Sequence, residues 1–228
     1  MEINPKQEDF ERDHDEGLAR FRRRRRKYCY CGQWIKKVRE GNIASMKYPS
    51  VTEILSPYAD FSHVPADVLA AAALRGTGTH EACAGYALDL WSSVSDELRG
   101  YFDSYRAWFD RYVVEVLAVE KELVHKRWGY IGHADLVARV SGYKTEPVIG
   151  VIDIKTPLTQ KKTWRLQISA YVEAEQQERK EKVYGGALQL RKDGGLPKMT
   201  WVEDQSQAFA AFTGALSAHN YIKGNEGK

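Results

Sequence analysis

The chain is poor in cysteine: Cys29, Cys31 and Cys83 are all it has, with none after position 83. Three unevenly spaced thiols cannot build a disulfide framework, and they suit a reducing cytoplasm. Cys29-Tyr30-Cys31 would need ligands from elsewhere, such as His14, to hold zinc. No apolar run reaches the ~18 residues of a membrane span, and Met1 to Phe10 is acidic and polar, without the apolar core of a secretion signal. The expectation is a cytoplasmic, non-membrane protein. Internal repeats are missing too, which excludes solenoids and propellers.

A strong overall charge is also lacking, since the net is +3. That small number hides an asymmetry: residues 1–45 hold 12 Lys/Arg against 8 Asp/Glu, so the remainder is close to neutral. Nucleic-acid binding by the main domain would therefore need a local basic patch and not a global field. The basic run Arg22 to Lys27 marks residues 1–45 as a separate extension, read first as a solvated tail and second as a nucleic-acid contact. Because Met46 opens a natural-looking start and Arg39-Glu40-Gly41 suits a purine-rich ribosome-binding site, we hypothesise that some product begins there. An intact mass showing only chains that begin at Met1 would rule this out.

Residues 46–228 form the main domain, and at 43% hydrophobic the chain can bury one substantial core. Thr52 is expected to cap a short helix ending at Ser56-Pro57. Pro65 to Trp91 reads as helical, interrupted at Arg75-Gly76-Thr77-Gly78, and Asp96 to Tyr112 as a helix with an aromatic packing stripe. The period then changes to two: strands over Val113 to His125, Tyr130 to Val140 and Pro147 to Lys155, joined by turns. A helix over Trp164 to Lys180, strands over Val183 to Leu190 and Lys198 to Val202, and a helix over Asp204 to Ile222 follow. That order predicts an α/β fold with a mixed sheet flanked by helices.

Within this frame one strand is anomalous. Val148, Ile149, Val151, Ile152 and Ile154 are apolar on both faces, as in a central strand, yet Asp153 and Lys155 interrupt them on one face. They stand about 6.5 Å apart, at the carboxyl end where open α/β sheets present ligand groups. A purely structural ion pair would gain little there, because desolvation consumes most of the attraction; on this strand alone the structural and functional readings stand level. If the second and third strands pair about residue 144, Asp135 comes opposite Asp153. Two such carboxylates repel unless a cation separates them, and the simplest cation is a divalent metal with oxygen ligands, magnesium or manganese. His80 in a helix, and Gln167 with Tyr171 four apart on one helical face, are each ordinary alone.

Together, Gly76…His80, Gly132…Asp135, Asp153-Ile154-Lys155 and Gln167…Tyr171 resemble the ordered motifs of the PD-(D/E)xK nuclease superfamily, in its RecB-type and phage-exonuclease branch. The resemblance covers about residues 46–223. It implies a restriction-endonuclease-like core with extra N-terminal helices over the active site, and a metal-dependent DNA nuclease that leaves 5′-phosphates. An exonuclease of phage or prophage recombination is the first expectation. An endonuclease or nickase on the same site and a catalytically silent DNA-binding protein are the alternatives. Carried over residue by residue, the resemblance makes His80, Asp135, Asp153 and the Ile154 carbonyl metal ligands. Lys155 would handle the attacking water and the scissile phosphate, with Gln167 and Tyr171 positioning strand or water. Ala134 stands where the superfamily name implies proline, and the missing C-terminal cysteines argue against an iron–sulfur cluster. For DNA contact the candidates are Arg75, Lys161, Lys162 and Arg165, with Trp164 as a stacking face. A single-strand annealing protein as partner and a homo-oligomer are expectations from the resemblance only.

Overall fold

The computed structural model describes residues 48–59, 64–90 and 93–226. The basic extension, Cys29, Cys31 and His14 lie outside the described residues. In chain order the elements are α1 (Val51–Leu55), a 3-10 turn (Ser56–Tyr58), α2 (Ala66–Ala87), α3 (Asp96–Tyr112), β1 (Val113–His125), β2 (Tyr130–Val140) and β3 (Val148–Lys155). Then come α4 (Thr163–Gln176), β4 (Val183–Gln189), β5 (Lys198–Trp201) and α5 (Gln205–Glu226). The strands form one mixed sheet in the order β1-β2-β3-β4-β5, with only β3 and β4 parallel.

The expected α/β class, mixed sheet and chain order of helices and strands are observed. β3 is the middle strand because it is apolar on both faces. Ile149 and Val151 join a core with Val51 and Ile54 of α1, Ile168 and Val172 of α4, and Phe212 of α5. Ile152 and Ile154 join the opposite core with Cys83 of α2 and Tyr105, Trp108 and Phe109 of α3. Burying an aromatic side chain of this kind stabilises by about 1.5–3 kcal/mol, so the aromatic stripe of α3 is the main anchor of its layer.

Three local expectations are corrected. Ser50, not Thr52, caps α1: its Oγ accepts the Glu53 amide hydrogen at 3.1 Å, one of the orphan donors of the first turn and worth ~1 kcal/mol. Nor does α2 break at Arg75-Gly76-Thr77-Gly78; it runs through as a single helix. Gly78 is there for packing, since a Cβ on it would lie 2.7 Å from Cδ1 of Leu98. The bare backbone lets the start of α3 approach, and the continuous helix carries His80 rigidly to the sheet. Helix α4 also stops at Gln176, short of the expected Lys180.

Candidate functional site

The site is assembled from the register of three strands. Pairing of Leu136 with Ile152, extended by one residue, sets Asp135 opposite Asp153 with both side chains on the same face. The ladder stops there because the Asp135 carboxylate takes over: its Oδ2 accepts the Ile154 amide hydrogen at 2.6 Å. From α2, the His80 ring enters between the two strands. Its Nε2 lies 3.0 Å from the Ile154 carbonyl oxygen and its Nδ1 3.1 Å from Asp135 Oδ1. Three of the four expected ligands are therefore in direct contact.

Asp153 is placed differently. It is 3% exposed, and Lys155 Nζ lies 2.6 Å from its Oδ2. Burial, with the charge of Asp135, lifts its carboxyl above the ordinary value although Lys155 pulls the other way. Asp135 moves in the opposite direction. Burial would raise it, but the charge and hydrogen bond of His80, with Lys155 and the Ile154 amide, hold it low. Burial likewise disfavours charge on His80, yet Asp135, Asp153 and Glu120 outweigh it and lift the imidazole to about 9. Two adjacent carboxylates whose protonation is pushed in opposite directions in this way are the kind of perturbed pair found at functional sites.

Lys155 is held by α4. Its Nζ donates to Gln167 Oε1 at 3.0 Å, Gln167 Nε2 donates to the Tyr171 hydroxyl oxygen at 2.9 Å, and Thr52 also hydrogen-bonds that hydroxyl. Burial pushes the Tyr171 phenol well above its ordinary value, so it stays protonated. Gly132 makes this network possible: a Cβ there would sit 2.3 Å from Tyr171 Cε1. The Gly132…Asp135 and Gln167…Tyr171 words are thus one packing unit.

The expected DNA contacts are not equivalent. Trp164 is buried in the core, with Lys155 Nζ 5.7 Å from its ring centre. Its expected role as a stacking face is corrected: charged neighbours in sequence hid a buried side chain that packs beside Lys155. Arg165 pairs with Asp204 at 3.3 Å. Lys162 is exposed beside the first turn of α4, and Lys161 precedes it in a loop tied down by Gln189 Nε2 donating to the Pro157 and Leu158 carbonyls. Arg75 lies on α2, about one turn before His80, with a buried Nε that makes no hydrogen bond.

Sequence reasoning missed Glu120. Its carboxylate lies with His80 and Asp135 in a group whose ligand atoms all fall within 4.8 Å of one another, and among the described residues no other such group forms. In the sequence it reads as an ordinary solvent-facing residue of β1. Its signal is conformational: φ is +50° in the middle of a strand, sparsely populated by non-glycine residues. The donor set of carboxylates, imidazole and backbone carbonyl fits a hard divalent cation.

The sequence was compared with models of known protein families and with curated proteins, and it matches none of them. Among the described residues no helix is long and apolar enough to cross a membrane.

Proposed function

We propose that this chain is a divalent-metal-dependent deoxyribonuclease of the PD-(D/E)xK type, built on a restriction-endonuclease-like core and acting as an exonuclease in phage or prophage recombination or DNA processing. The observation that carries the reading is the meeting of Asp135 and Asp153 across β2 and β3, with Lys155 two residues on and His80 supplied by α2. A structural ion pair needs one carboxylate; the second one, opposite it, only adds repulsion.

Magnesium or manganese held by Asp135, Asp153, His80 and the Ile154 carbonyl would supply Lewis acidity and a water of lowered pKa. The protein's own groups do the rest. Lys155, steadied by Gln167, keeps a cationic head beside the carboxylates to offset charge developing on the scissile phosphate. Gln167 is fixed in turn by Tyr171, so the lysine has one preferred position. Water oxygen bonds to phosphorus as the bond to the 3′ oxygen breaks; that oxygen leaves with a proton and the phosphate remains on the 5′ side. Lys162, exposed beside α4, and Arg75 on α2 are the basic groups that this reading assigns to the DNA backbone.

The test is digestion of 5′- and 3′-labelled single- and double-stranded DNA with magnesium, manganese or EDTA. Label should be released only with metal, and a closed circle should stay intact; cutting of the circle would replace the exonuclease by an endonuclease. Degradation unchanged in Asp153→Ala and Lys155→Ala preparations would overturn the assignment.

A further inference from the structure

The β1–β2 hairpin, made of the two longest strands, runs past the site. Because Val140 pairs with Val148 and Leu136 with Ile152, the residues of β2 before Asp135 continue beyond the carboxyl end of β3. There they pair with β1 until His125 meets Tyr130. Tyr130 lies ~17 Å along the strand from Asp135. The hairpin thus carries its turn outward at the end of the sheet where the carboxylates stand.

That turn is Lys126-Arg127-Trp128-Gly129, with the first three residues exposed. Small polar residues are the ordinary choice for such a place. His125 holds it from beneath: its carbonyl accepts the Gly129 amide hydrogen at 2.8 Å, and its Nδ1 accepts that of Trp128 at 3.3 Å. Gly129 closes the turn at φ +67°, which glycine adopts without strain. Trp128 meets Phe209 of α5 edge to face, with ring centres 6.1 Å apart, and still keeps 41% of its surface exposed. Other exposed cations, such as Arg165 and Arg191, pair with carboxylates. The side chains of Lys126 and Arg127 have no such partner among the described residues. A solvated turn would account for the two charges; it would not account for an indole fixed beside them and left open.

We propose that Lys126, Arg127 and Trp128 form a second DNA contact, gripping the phosphodiester backbone about five nucleotides from the scissile phosphate, since phosphates follow one another every ~3.4 Å along a strand. Lys126 and Arg127 each meet a phosphate, and the exposed edge of Trp128 packs against the sugars between them. Such contacts fix position and read no sequence. The proposal rests on the nuclease reading for the place of the scissile bond, and not for the affinity of the turn for DNA.

Fluorescence anisotropy of a labelled duplex of ~20 base pairs, titrated with the full chain in EDTA across a salt series, tests it. The paired variant Lys126→Ala/Arg127→Ala should bind more weakly, with the slope of log affinity against log salt reduced by ~1.8, or ~0.9 for each lost phosphate. Trp128→Ala should weaken binding and leave the slope where it was, because its contact releases no counterion. Lys180 and Lys182 are exposed at the opposite end of the sheet, just before Val183 pairs with Ile149. Removing the same charge there, as Lys180→Ala/Lys182→Ala, should keep the wild-type slope. A Lys126→Ala/Arg127→Ala slope equal to the wild type, an equal fall from the Lys180 and Lys182 pair, or a wild type with no affinity for the duplex would overturn the contact. The expected slopes in a chain that hydrolyses no DNA would uphold the contact and refute the nuclease reading; metal-dependent hydrolysis with an unmoved slope would do the reverse.

Discussion

Helix α4 meets a strand lysine at each of its ends, and the two meetings are built differently. At its last turn Glu175, with no exposed surface, has Lys121 Nζ 2.6 Å from one oxygen and Arg179 Nε 2.8 Å from the other. Lys121 reaches Glu178 as well, so two carboxylates are matched by two cations. Every oxygen of the buried anion is used. At its first turns α4 meets Lys155, which is shared between Asp153 and Gln167 while Asp135 and Glu120 crowd the same end of the sheet. Asp135 and Asp153 stand opposite each other there, beside Lys155 and the His80 imidazole. A buried charge whose oxygens are all taken by cations is architecture; two carboxylates set against each other across a strand pair are a place for a ligand.

The sharpest way to break this contrast is to remove each buried anion in turn. Asp153→Ala should cost roughly 10³-fold in DNA hydrolysis, with the Tm in EDTA little changed, because the repulsion from Asp135 is removed while Lys155, losing one partner, keeps Gln167 and the charge of Asp135. Glu175→Ala should do the reverse. It strands Arg179 and leaves Lys121 only the exposed Glu178, costing about 3 kcal/mol, or roughly 10 °C in Tm, while activity per folded molecule holds. Scanning calorimetry paired with label release reads both. An Asp153→Ala protein that melts early with normal turnover would erase the distinction.

Much of this contrast was legible before any coordinates. Strand pairing about residue 144 follows from the turn and the two apolar runs, so Asp135 and Asp153 could be matched from sequence. The middle position of β3 follows from its apolar character on both faces. Other features were hidden for physical reasons. Gly76 and Gly78 look like a helix break because propensity cannot tell a flexible glycine from one that admits Leu98. Trp164 looks exposed because its neighbours are charged, although helical geometry turns it alone inward. Glu120 is invisible because its role depends on one backbone angle, which no pattern of residue types encodes.

Gly132 offers a subtler probe of the same site. A methyl group there would press on Tyr171, displacing the ring that fixes Gln167 and through it Lys155. Overpacking of this kind costs ~1–3 kcal/mol. Gly132→Ala should therefore lower Tm by a few degrees and, unlike Glu175→Ala, also lower kcat, with metal affinity retained because no ligand is touched. Tyr171→Phe alone, with Gly132 kept, separates clash from hydrogen bonding, because it leaves the ring in place and removes only the hydroxyl: a near-normal Tm with lowered kcat would place the loss in the Gln167 contact, and an unchanged kcat would refute the relay.

The smallest effect contrasts two histidines. His125 is 6% exposed, packed against the Tyr130 and Phe209 rings at centroid distances of 5.1 and 6.3 Å, and its Nδ1 accepts the Trp128 amide hydrogen. Burial holds it below its ordinary 6.5, so the unfolded chain takes up a proton that the folded chain refuses. Its contribution to stability is complete above about pH 6.5 and is lost as pH falls further. His80 has the opposite sign: raised to about 9 by its carboxylates, it supports the metal-free fold below 6.5, and that support is lost as pH rises through 9. Tm measured in EDTA should therefore fall on both sides of neutrality for separate reasons. His125→Gln, which keeps an acceptor but cannot titrate, should flatten the acid limb between about pH 5 and 6.5 and leave the alkaline limb to His80. An acid limb unchanged in that variant would mean that the packed histidine carries no titratable strain, and that the whole pH response belongs to the carboxylates beside His80.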